Sequence, residues 1–109
     1  MELKSTNPAT GEGIKKYNVD SEELVNIKIN QAQVSFLEHR LSSFIERRKR
    51  LLKLAGILRE DQNNLALLIS SEMGKITNEA LAEIEKCAVL CEYYAEQGEL
   101  FLANEKRTS

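Results

Sequence analysis

The side chains able to do chemistry in this 109-residue chain are few and scattered. Its only two thiols, Cys87 and Cys91, stand four residues apart, so on a helix they share one face. A nucleophile or a metal ligand needs a stabilised thiolate. Here Glu83, Glu85 and Glu92 lie close by, and Lys86 is the nearest opposing charge. Carboxylates and apolar burial both disfavour the thiolate. This spacing also holds two Cα atoms near the upper limit for a disulfide. The pair is therefore expected to be structural, within an apolar helix face. The single histidine, His39, is distant in sequence, and no zinc-type cysteine spacing occurs, so no metal site is expected.

Phosphate chemistry fares no better. Gly11-Glu12-Gly13 runs into Ile14-Lys15-Lys16 with no third glycine and no helix, which reads as a turn and not a dinucleotide fingerprint. Gly74-Lys75 is followed by Ile76 and lacks the upstream glycine of a phosphate loop. No nucleophile elbow is present. Glu46-Arg47-Arg48-Lys49-Arg50, with Lys53 and Arg59, forms the one basic cluster. Phosphate or RNA could meet it, but aromatics are not interleaved and the chain carries a net charge of −2. A solvated helix face whose long stems cover apolar surface is expected instead, and nucleic acid is not an expected partner.

The elements that position these groups follow from turn and cap signals. Asn7-Pro8 and Thr10-Gly11 supply turn chemistry within a β-hairpin over residues 4–19, with Ile14, Tyr17 and Val19 flanking it. Asp20 is expected to cap a first helix, with Glu23 at the capping-box position. That helix presents Val25, Ile29, Ala32 and Phe36 on one face and ends near His39-Arg40. Ser42 or Ser43 caps a second helix bearing Ile45, Leu51, Leu54, Ala55 and Leu58. Asp61-Gln62-Asn63-Asn64 is a run of weak helix formers that breaks it, with Asp61 recapping. Leu65, Leu68, Ile69 and Met73 resume the apolar face, and Gly74 stops it. Thr77 or Asn78 caps the last and longest helix. Its expected packing or self-association stripe is Ala80, Ile84, Cys87, Cys91, Tyr94, Gly98 and Phe101.

The fold class is thus mainly α: an N-terminal β-hairpin followed by three to four amphipathic helices. The expected divisions are a β-hairpin arm at 1–19, a helical segment at 20–105 and a disordered tail at 106–109. With 42% hydrophobic and 29% charged residues the composition is that of an ordinary folded domain. Met1-Glu2-Leu3-Lys4 is no signal-peptide start and no apolar run approaches membrane-spanning length, which points to the cytoplasm and to no membrane partner.

Four segments, in this order and spacing, carry a family resemblance: Asn7-Pro8-Ala9-Thr10-Gly11-Glu12, Glu72-Met73-Gly74-Lys75, Glu85-Lys86-Cys87-Ala88 and Tyr93-Tyr94-Ala95-Glu96. Together they resemble the N-terminal part of the NAD(P)-dependent aldehyde dehydrogenase family, nearest its succinate-semialdehyde dehydrogenase branch. The likeness runs from about Thr6 to Glu105 and covers the opening quarter or so of a family member. Asn7, Pro8, Gly11, Glu72, Met73, Gly74 and Lys75 are its signature positions. One departure is His39, where family members often carry Trp or Tyr.

The resemblance implies a parent reaction in which an aldehyde becomes a carboxylic acid while NAD(P) is reduced. It places the nucleophile in a Gly-Gln-x-Cys context and the base in a Glu-Leu-Gly-Gly context, and neither string occurs here. No catalytic residue and no cofactor are therefore expected for this chain alone; NAD(P) belongs to the parent family. The expectation is a truncated, non-catalytic helical scaffold that homo-oligomerises through exposed apolar faces. The alternative is one chain of a split dehydrogenase, active with a complementing chain.

Overall fold

A computed structural model describes residues 1–108. Strands β1 (Glu2–Thr6) and β2 (Gly13–Asn18) form an antiparallel hairpin, and helices α1 (Glu22–His39), α2 (Phe44–Glu60), α3 (Gln62–Met73) and α4 (Thr77–Phe101) follow. The expected mainly helical chain with an N-terminal hairpin is what folds. No helix among the described residues is long and apolar enough to cross a membrane.

The hairpin turn is built by Asn7. Its side-chain oxygen accepts from the Ala9 N–H at 2.9 Å and its carbonyl accepts from the Gly11 N–H at 2.8 Å, with Gly11 at φ 75°. Leu3 pairs with Tyr17 and Ser5 with Lys15, but Thr6 pairs with Gly13, so a bulge sets Ile14 outside the regular register. That bulge is why alternation fails around Ile14-Lys15-Lys16.

Two of the four helix starts, those of α1 and α4, fall one residue from where the sequence places them. Ser21, not Asp20, caps α1, accepting from the Leu24 N–H at 3.1 Å; Asp20 instead pairs with Lys28. Of the two serines, Ser43 caps α2 through the Glu46 N–H at 3.2 Å. Asp61 joins α2 to α3, and its side chain bonds Asn64 rather than a backbone N–H. Ile76 occupies the cap position of α4 with no side-chain cap, so neither Thr77 nor Asn78 serves there. Gly74 ends α3 in the left-handed conformation, φ 70°, as expected.

Packing is concentrated on α4. Helix α2 runs along its length and α3 against its first half. The buried residues are Ala55, Ala66, Ala80, Ile84, Ala88 and Ala95, with Leu58, Leu65, Ile69 and Leu81 packed around Ala66, Ala80 and Ile84. As an intrachain packing face, the expected α4 stripe needs correction. Ala80 and Ile84 are buried, but Cys87, Tyr94 and Phe101 are exposed and Cys91 is half-buried. The buried line instead passes through Ala88 and Ala95, because methyl side chains let two helix backbones approach closely. On α2 and α3 likewise, Ile45, Leu54, Leu68 and Met73 are exposed. Helix α1 buries no residue at all, Val25, Ile29 and Phe36 included, and takes part in none of the packed element pairs.

Ser70 on α3 has a buried hydroxyl without a hydrogen-bond partner. Ser70→Ala removes that unsatisfied group and adds helix propensity, so it is expected to raise stability by about 0.5–1.5 kcal/mol. A lowered denaturation midpoint in urea would contradict this. The chain as a whole is extended, 61 × 41 × 30 Å, with a radius of gyration of 19.1 Å. A compact domain of this length has about 13 Å.

Candidate functional site

Two of the signature segments, far apart in sequence, meet in space. The hairpin folds back onto the end of α3, and the Pro8 ring faces Gly74: a Cβ added there would stand 3.0 Å from Pro8 Cγ. Glycine is thus required twice, for its positive φ and for the approach of the ring. Next to it Lys75 reaches forward along α4, its Nζ 2.6 Å from Glu83 Oε2. Glu83 thereby raises the Lys75 ammonium above the ordinary lysine range. Of the remaining signature residues, Glu72 is half-buried and Met73 is exposed. This cluster is a packing junction: it joins the arm to the helices and holds no nucleophile and base within reach of one another.

The second polar assembly fastens α2 to α4. Arg59 forks onto Glu85, with Nε 3.2 and 3.1 Å from its two oxygens and Nη2 at 3.0 Å, while the same Nη2 donates to Glu92 Oε1 at 2.6 Å. Hydrogen bonds to Glu92 and Glu85 raise the guanidinium far above any accessible pH. The Arg59 guanidinium in turn holds the Glu92 carboxyl below the ordinary carboxylate range. A depressed carboxylate stabilises the fold above its unfolded pKa, and that contribution is lost as pH falls through the folded value. Glu92→Gln is therefore expected to flatten the acid limb of the thermal midpoint against pH while leaving the neutral-to-alkaline shape unchanged. An acid limb identical to that of the parent would remove Glu92 from this role.

The basic cluster divides. Arg47 donates to Ser42 Oγ at 3.0 Å and to the His39 and Arg40 carbonyls at 3.3 and 3.2 Å, satisfying acceptors that α1 leaves open at its end. Arg50 meets His39 Nδ1 at 2.9 Å. Arg48, Lys49 and Lys53 form no ion pair among the described residues. Two of its six basic residues, Arg47 and Arg50, thus pin the α1–α2 corner. The thiols are both free, Cys87 exposed and Cys91 half-buried. Among the described residues no group of three or more His, Cys, Asp or Glu side chains could hold a metal.

Neither the Gly11–Gly13 pair nor Gly74 fits a dinucleotide. Gly11 and Gly13 lie at the hairpin turn between two strands, whereas pyrophosphate binding uses glycines that open a helix. Gly74 does precede α4, but the Pro8 ring occupies the space beside it. Sequence reasoning missed the Arg59 fork and the Pro8–Gly74 contact. The former left a trace, since Glu85 and Glu92 are spaced seven apart and so share a face of α4. The latter left none.

A β arm thus closes on the end of α3, and one arginine shared by two carboxylates ties α2 to α4. The aldehyde dehydrogenase family profile matches residues 1–109, and the chain belongs to that family. It is 38% identical over 109 residues to a probable NADP-dependent succinate-semialdehyde dehydrogenase of a Synechocystis species, covering 24% of that protein. Over 105 residues it is 35% identical to an NADP-dependent succinate-semialdehyde dehydrogenase of Mycobacterium tuberculosis, 96% of this chain and 23% of the relative. Among solved structures, succinic semialdehyde dehydrogenase from Streptococcus pyogenes, in complex with NADP+, superposes with a TM-score of 0.90 at 25% identity, over 97% of this chain and 24% of that one. An NADP-dependent enzyme of E. coli superposes with a TM-score of 0.87 at 26% identity, over 99% and 22%. The chain thus spans about a quarter of the length of the relatives it matches.

Proposed function

We propose that this chain is a non-catalytic helical scaffold segment of a succinate-semialdehyde dehydrogenase-like oxidoreductase, whose whole reaction oxidises an aldehyde to its acid with reduction of NADP+. The observation that carries this reading is the match of nearly the entire chain to a quarter of an NADP-bound dehydrogenase, combined with polar groups committed to joining elements. On its own the chain covers its apolar faces by self-association. Titration of the 109-residue chain with NADP+, followed calorimetrically, tests the first part; saturable binding overturns the non-catalytic assignment.

A second reading is favoured by the exposure of Val25, Ile29, Val34 and Phe36 on a helix that buries none of its residues. In it the chain is one part of a split dehydrogenase and a complementing chain supplies the reacting groups. Co-expression with the missing three quarters of a relative, followed by NADP+ reduction with succinate semialdehyde, decides it. An assembled but inactive complex removes it.

A further inference from the structure

We draw no further inference here: the strongest candidate, the exposed apolar face of helix α1 that carries Val25, Ile29 and Phe36, belongs to a chain spanning about a quarter of the relatives it matches, and nothing in the structure shows what covers it.

Discussion

Ile84→Asp is expected to unfold the helical layer. Ile84 is 4% exposed, packed with Ala66 and Ala80 and enclosed by Leu58, Leu65, Ile69 and Leu81, where α2, α3 and α4 meet. Removing the side chain of a buried isoleucine costs about 2–5 kcal/mol. A carboxylate there must also be desolvated without a partner or taken up as the neutral acid, which adds roughly 1–3 kcal/mol. The sum approaches the whole stability of a small domain, about 5–15 kcal/mol. Far-UV circular dichroism against temperature should show lost cooperativity, whereas Ile84→Val should shift stability by only about 1 kcal/mol. A cooperative melt for Ile84→Asp near that of the parent would mean that this junction is not the core.

The next largest effect is expected at Gly74, where its sign separates two glycines. Gly56→Ala lies within α2, where an added Cβ meets nothing within 4 Å, and should stabilise by about 0.5–1 kcal/mol. Gly74→Ala places a side chain at φ 70°, costing about 1–2 kcal/mol for the left-handed backbone, and its Cβ would stand 3.0 Å from Pro8 Cγ. Gly74→Val adds branching at the same place and should cost more. Because the second penalty depends on Pro8, the pair Gly74→Ala and Pro8→Ala should be non-additive, with part of the loss recovered in the double variant. Strict additivity in urea titrations would detach the hairpin arm from the end of α3.

The hairpin, the break at Asp61 and the stop at Gly74 are legible in the sequence because turn and cap residues act locally. Cap positions slip by one residue where two polar candidates adjoin, as with Asp20 and Ser21. On α4 the buried line departs from the expected packing or self-association stripe for a different reason. Large apolar residues at heptad spacing draw attention to Cys87, Tyr94 and Phe101, yet it is Ala80, Ala88 and Ala95 that are buried. Alanine carries little hydrophobic signal of its own but permits the closest approach of helices. In α1 periodicity marks Val25, Ile29, Ala32 and Phe36 as a face, and it says nothing about what covers that face. The meeting of Pro8 with Gly74 is likewise a property of the folded chain, since neither residue specifies the other across the helices between them.

The elongated outline bears on how this protein behaves in solution. A radius of gyration of 19.1 Å is that of a compact domain of about 300 residues. Frictional drag on a single copy therefore exceeds that of a compact globule of the same mass. On a sizing column calibrated with compact standards, the monomer will emerge ahead of a compact protein of its own mass. Mass measured by light scattering, set against elution volume, separates shape from association.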